Sequence, residues 1–312
     1  MELALRLFSA IAVSAGLYTA AAVYTPGATP LMLVVPLPGL VLAARGAMWQ
    51  CGLWFFGTSG ILTAGLGADA ALGFVLPFGI PAVVLAIGIR RMWPFEHTVI
   101  AGIAAWAAGV LGLVLLSFGN FPEAVVMVRQ QLTNSIDLAL KTYESMGAPE
   151  ATLATIAAQR DAMVTGLVET LPALVVLGGA FMIIVNLILL RNWTEIANRI
   201  NLRLWRTPDV LIWALIVAGF GMFAPVVPIS LIARNLFIIV LGGYFCQGLA
   251  IVSYYLERFR LPRGLRIAGY LLIAVQHIVA ALVLVLGVFD LWGNFRRLNV
   301  GPADVTFHTD SD

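Results

Sequence analysis

A chain of 312 residues that is 61% hydrophobic and 11% charged departs from water-soluble domains, which carry about 25% charged residues. A formal net charge of +2 gives no field to attract nucleic acid. The two cysteines, Cys51 and Cys246, stand in apolar runs and support neither a disulfide framework nor a cysteine metal site. The composition therefore predicts an all-α, polytopic bundle of transmembrane helices whose outer faces are solvated by the lipid bilayer.

Apolar segments fall near 3–24, 30–44, 47–66, 70–89, 97–118, 167–190, 210–226, 235–256 and 267–289. The first is too long for a signal-peptide core and is expected to stay as a span. The second and seventh are short, so the expected count is eight or nine. With the N-terminus in the cytoplasm and every segment crossing, twelve of the 18 Lys and Arg lie inside, the arrangement that membranes favour. Arg296 and Arg297 then fall outside, unless a short segment near the C-terminus fails to cross.

The N-terminal unit is 1–118. Within it, LVVPLPGLVLAARG at 33–46 is similar to FVLPFGIPAVVLAIGIR at 74–90, as if two helix pairs were parallel copies. Pro36, Pro38, Pro77 and Pro81 each remove a backbone donor. Freed backbone in a membrane must be satisfied by protein or by a cavity, so Pro36 and Pro77 mark either a ligand site or kinks made for packing. Ala12, Gly16 and Ala20 repeat every fourth residue in the first segment, and Ala101, Ala105 and Gly109 in the fifth. Small residues let helices approach closely in lipid, within the chain or against a protein partner.

Residues 119–166 break the apolar pattern. Asn120 is a helix cap ahead of Pro122 and Glu123. Val125, Val128, Leu132, Ile136, Leu140 and Tyr143 recur at helical spacing. Gly147 and Pro149 end one helix and start the next. This predicts an amphipathic helical hairpin outside the membrane.

The C-terminal unit is 167–296. Between its first two spans, 191–209 carries a stripe of Trp193, Ile196, Ile200 and Leu204, with Arg199, Arg203 and Arg206 off it. Such a helix lies flat at the interface with its arginines towards headgroups, or serves as a docking surface for a cytoplasmic partner. Asn186, Gln247, Gln276 and His277 lie inside apolar spans, where polar residues face the bundle interior and are candidate ligand groups. Residues 297–312 are expected to be a disordered tail.

The three histidines, His97, His277 and His308, are dispersed, and no phosphate loop, nucleophile elbow or paired acidic group is present. No catalytic residue, metal or cofactor is expected, and the chain reads as a non-enzyme.

The stretch RNWTEIANRINLRLW, the run NLFIIVLGGYFCQGLAIVSYYLERFRLP and the terminal GVFDLWGNFRRL resemble the YybS-type family of bacterial integral membrane proteins. That resemblance implies the bacterial cytoplasmic membrane and carries over no activity. More distantly, the Pro/Gly-rich N-terminal spans are similar to substrate-binding subunits of energy-coupling-factor transporters, and loosely to the scaffold protein MreD. In the former, a small-residue surface like Ala12, Gly16 and Ala20 docks a transmembrane partner. The expected function is a small-molecule-binding or transport subunit dependent on partner proteins. The alternative is a membrane scaffold or assembly factor of the cell envelope.

Overall fold

The computed structural model describes residues 2–23, 29–191 and 205–296. Among these the regular structure is helical, without a strand. In order the helices are α1 (Glu2–Val23), α2 (Thr29–Met32), α3 (Leu37–Arg45), α4 (Met48–Leu66), α5 (Ala68–Phe74), α6 (Ile80–Arg90), α7 (Phe95–Phe118), α8 (Phe121–Ser145), α9 (Glu150–Arg191), α10 (Leu211–Gly221), α11 (Val227–Arg258), α12 (Arg263–Val275) and α13 (His277–Gly293). A π-helical turn at Val75–Gly79 joins α5 to α6.

Among the described residues, five helices are long and apolar enough to cross a membrane: α1, the continuous α5–α6, α7, α9 and α11. A sixth crossing exists if the bent pair α12–α13 counts as one. Prolines shorten the second apolar segment into α2 and α3, and the seventh folds only as the 11-residue α10. Polar Gln50, Thr58, Ser59 and Thr63 dilute α4.

The N-terminal half repeats one plan. Unbroken α1 precedes the broken α2–α3, and unbroken α4 precedes the interrupted α5–α6. Arg90, at the end of α6, donates to Ala43 O at 2.8 Å and to Gly46 O, so α3 and α6 finish side by side, with a cation on the carbonyl end of α3. Between these units lies a core around Trp54, Leu40, Leu62, Phe74 and Leu85. Tyr18 meets Phe74 and Phe78 edge-on, each at 6.1 Å, the favoured aromatic geometry. Met182, Ile183, Leu187 and Leu190 of α9 complete this core.

Helix α9 is 42 residues long, roughly 63 Å at 1.5 Å per residue, about twice the ~30 Å hydrocarbon thickness. Its first part pairs with α8 as the expected hairpin. Asn120 caps α8: its Oδ1 accepts from Glu123 N at 2.9 Å while its Nδ2 donates to Glu123 Oε1 at 2.7 Å. Gly147 takes the left-handed φ of +79° that turns the chain. Val125, Val128, Leu132, Ile136 and Leu140 are half-buried, and Tyr143 is exposed. Arg160 reaches Asp137 at 3.0 Å, and Arg129 donates to Thr165 at 3.0 Å. The hydrogen bonds that Arg160 donates to Asp137 and then to Asp161 raise its pKa above the ordinary value.

In the C-terminal half, α11 and α13 cross in close contact. A Cβ on Gly248 would strike the Val283 carbonyl, and one on Gly287 the Tyr244 carbonyl. Each glycine faces the carbonyl one turn before the other, the close approach that small residues permit in membranes. At the crossing Gln247 donates to Asp290 at 3.0 Å, and further along Tyr255 donates to Phe295 O at 2.7 Å. The two helices therefore run to the same end.

Helix α12 also starts at that end, after a four-residue connection from α11, and Arg266 Nε donates to Leu261 O at 2.8 Å. The pair α12–α13, bent by 100°, leaves one end of the bundle and returns to it. This corrects the expectation of a single ninth span at 267–289. It also corrects the placement of Arg296, which lies at the same end as Arg206 and Arg258 rather than across the membrane from them. Of the 191–209 stretch, 192–204 lie outside the described residues, as does the tail from 297.

Candidate functional site

The first proline break is closed by protein donors. Without N–H groups at Pro36 and Pro38 the ladder across 33–38 is interrupted, and Leu37 N donates to Val34 O at 3.1 Å. Asn186 of α9 supplies the missing donor, with Nδ2 at 2.6 Å from Leu33 O and 2.8 Å from Met182 O. Ser14 of α1 donates to Val35 O at 2.9 Å and accepts from the Trp54 indole N–H at 2.9 Å. Gly39 makes room for the Trp54 ring. Buried Asn186 keeps one group unmatched, its Oδ1.

The second break is absorbed differently. Around Pro77 the helix widens by one residue into the π-turn, and Ile80 N reaches back to Val75 O. Buried Pro77 packs under α7, where Gly109 sits against the Leu76 carbonyl with no space for a Cβ. Gly109 of the fifth span thus serves packing within the chain, and Trp106 one turn earlier donates to Val175 O at 2.9 Å. The small residues of α1 are placed otherwise. Ala12 and Gly16 are exposed and Ala20 is half-buried, with open space where a Gly16 Cβ would stand. The opposite face, Ser14, Ala15, Tyr18 and Ala21, is buried.

The third cluster joins Gln247 of α11 and the end of α13 to residues 205–207, ahead of α10. Asp290 and Arg296 form an ion pair at 2.9 Å, with side chains 2% and 0% exposed. Asp290 also accepts from Phe295 N at 2.9 Å and from Gln247 Nε2 at 3.0 Å. Gln247 Oε1 accepts from Thr207 N at 3.0 Å, and Arg296 donates to Trp205 O at 2.9 Å. Arg206 donates to Leu291 O at 3.1 Å, near the C-terminus of α13, and pairs with Asp209 at 3.3 Å. Arg206 therefore clamps the protein rather than reaching to headgroups. Arg199 and Arg203 lie outside the described residues.

The expected ligand groups do not converge. Asn186 belongs to the N-terminal core, Gln247 to the Asp290 cluster, while Gln276 and His277 are exposed at the α12–α13 bend. A recess of about 490 Å³ opens beside the third cluster, between Tyr255, Arg258, Phe259, Gly293, Asn294 and Phe295, and none of the expected residues lines it. Among the described residues no group of three His, Cys, Asp or Glu could hold a metal ion.

Three polar groups escaped the sequence reading. Asp290, the acid of GVFDLWGNFRRL, was hidden by its place at the end of an apolar segment. Ser14 sits within the small-residue stretch of the first span. Asn235 of α11 donates to Glu169 O at 2.8 Å and accepts from Ala173 N at 2.9 Å, beside an Arg234–Glu169 ion pair. The available signal was Pro172 inside an otherwise regular helix, which demands an external partner for the backbone it frees.

Together these features define a helical membrane protein whose buried polar side chains join its own helices at their breaks and ends. A family model described as a predicted membrane protein, DUF2232, matches residues 12–291, and the chain belongs to that family. No curated protein and no solved structure matches it.

Proposed function

We propose that this chain is a membrane scaffold or assembly subunit of the bacterial envelope, acting through its outer surfaces on protein partners. The observation behind this reading is the use made of Asn186 and Gln247. The groups best suited to line a ligand cavity are engaged in bridging helix breaks and helix ends. Recognition then falls to the outside. Leu138, Tyr143 and Met146 are exposed towards the hairpin tip, beyond the reach of hydrocarbon, and apolar groups grouped there suit a protein contact. The open Ala12–Gly16 face of α1 suits a transmembrane helix. We read the topology as eight crossings plus the re-entrant α12–α13, with the N-terminus and the arginine-rich end in the cytoplasm.

A second reading, the small-molecule-binding or transport subunit, draws on the recess beside Arg258 and Asn294. Its volume of about 490 Å³ falls within the range of ligand pockets.

Purification in mild detergent followed by mass spectrometry separates the two. The scaffold reading expects envelope-assembly proteins that are lost on Gly16→Leu or Leu138→Asp while the fold persists. A stoichiometric small molecule, or an ATPase pair, with wild-type recovery from both variants overturns it in favour of the second.

A further inference from the structure

Helix α11 sets a depth scale. No charged residue stands between Arg234 and Glu257. The uncharged stretch 235–256 is roughly 33 Å long at 1.5 Å per residue, close to the ~30 Å hydrocarbon layer. Arg234 pairs with Glu169 at one edge of that layer, so Arg258 stands at the other, at headgroup level. The recess of about 490 Å³ lies at the same level, with Arg258 in its wall beside Tyr255, Phe259, Gly293, Asn294 and Phe295. That wall is held in place. Tyr255 stacks on Phe259 with ring centroids 5.9 Å apart and donates to Phe295 O at 2.7 Å.

The charge around the recess is one-sided. Between 235 and 289 the chain carries Arg258, Arg260, Arg263 and Arg266 against a single acid, Glu257. Arg258, Arg260 and Arg263 are exposed, and none of the three forms an ion pair among the described residues. Arg260 also holds the left-handed φ of +50° that closes α11, with its N–H donating to Glu257 O at 2.7 Å. Glycine is the usual residue at such a cap, and strain of this kind is retained where the side chain has a use. Phe259 of the recess wall is exposed, and α13 carries an exposed stripe of Ile278, Leu282, Val285, Phe289 and Trp292 that runs up to Gly293. The recess therefore adjoins a surface suited to acyl chains.

We propose that this recess is a binding site for an anionic phospholipid, with the phosphodiester on Arg258 and the acyl chains along α13. A guanidinium fork matches two phosphate oxygens, and basic pockets between membrane helices hold anionic headgroups. The last carbonyls of a helix lack donors of their own, so the end of α13 at Gly293 favours a headgroup that also carries hydroxyls, as phosphatidylglycerol does. A soluble phosphate uses the arginine and leaves the apolar stripe idle. This assignment is independent of the scaffold reading, and it gives the recess an occupant other than a transported molecule.

Native mass spectrometry of the full chain, released from detergent that holds equal amounts of phosphatidylglycerol and phosphatidylcholine, tests the site. The wild type is expected to keep phosphatidylglycerol under conditions that strip phosphatidylcholine. Arg258→Gln is expected to weaken that binding roughly tenfold. Arg91→Gln, an equal charge loss at the exposed end of α6, is expected to match the wild type. Arg260→Gly suits the left-handed cap, so it is expected to melt at or above the wild-type temperature while keeping severalfold less phosphatidylglycerol. Equal retention of the two lipids by the wild type overturns the proposal, as does unchanged phosphatidylglycerol binding in Arg258→Gln. Displacement of phosphatidylglycerol by millimolar inorganic phosphate overturns it too, because the recess is then a site for a soluble anion.

Discussion

Asn235 fills the hydrogen-bonding gap that Pro172 opens. A proline inside a helix removes its own N–H and displaces the carbonyl four residues back, and the neighbouring bond from residue 173 to 169 opens with it. Asn235 occupies that position from both sides, accepting from Ala173 N at 2.9 Å and donating to Glu169 O at 2.8 Å. One amide on α11 thereby replaces a backbone bond of α9 and fixes where the two helices meet.

This relationship predicts coupling. Asn235→Ala is expected to destabilise the protein by about 1–3 kcal/mol, because two backbone groups lose their partner in a medium without water. With Pro172→Ala in place the helix ladder closes by itself, and the same Asn235→Ala change is expected to cost well under half as much. Thermal unfolding of the four proteins in one detergent measures the cycle. Additive losses would mean that Asn235 acts independently of the proline.

The break at 33–38 predicts a second pattern. Ser14→Ala strands both the Val35 carbonyl and the Trp54 indole N–H, whereas Trp54→Phe removes one donor and leaves Ser14 bonded to Val35. Ser14→Ala is expected to cost about 2 kcal/mol for its polar groups alone. The hydroxyl-retaining Ser14→Thr is the informative control: partial recovery of the melting temperature, relative to Ala, assigns the loss to the hydrogen bonds rather than to a void.

The hairpin was legible because its signals are local. Asn120 before Pro122, the stripe from Val125 to Leu140 and Gly147 each act within a few residues, and each is found in its expected role. The proline breaks were legible for the same reason, but their consequence was not. Whether Leu33 O meets a ligand or Asn186, which is 153 positions away, depends on packing between distant helices. The bend at Gln276 had no marker at all: neither Pro nor Gly stands in YLLIAVQHIVAALVL. A straight ninth span then carried Arg296, together with Asp290 six residues earlier, to the end opposite Arg206 and Arg258.

The Asp290–Arg296 pair predicts an asymmetry between breaking and replacing. Arg296→Met leaves a buried carboxylate facing Gln247 and the Phe295 N–H without its cation, and is expected to cost about 3–5 kcal/mol. Asp290→Asn in the same chain removes the stranded charge while keeping the shape that meets Gln247. The double variant is therefore expected to be more stable than Arg296→Met alone. Chemical or thermal unfolding decides it, and a double variant weaker than both singles would show that the charge itself holds the end of the bundle together.

The glycine crossing predicts where substitution fails outright. At Gly248 a new Cβ meets the Val283 carbonyl, and at Gly287 the Tyr244 carbonyl. Backbone atoms cannot rotate away as a side-chain tip can, so accommodation requires the two helices to separate. That movement pulls Gln247 from Asp290 and Tyr255 from Phe295. Gly248→Val and Gly287→Val are each expected to cost at least about 2 kcal/mol, and to loosen the end of the bundle as well as its middle. Gly16→Val on α1 meets open space and is expected to leave the melting temperature within a degree or two, because the preference of a helix for Val over Gly is worth well under about 1 kcal/mol. Limited proteolysis at Arg258 and Arg260 reports the predicted loosening directly: faster cleavage in the Gly248 and Gly287 variants, with wild-type rates in the Gly16 variant, ties the contact at mid-helix to the closure of the arginine-rich end.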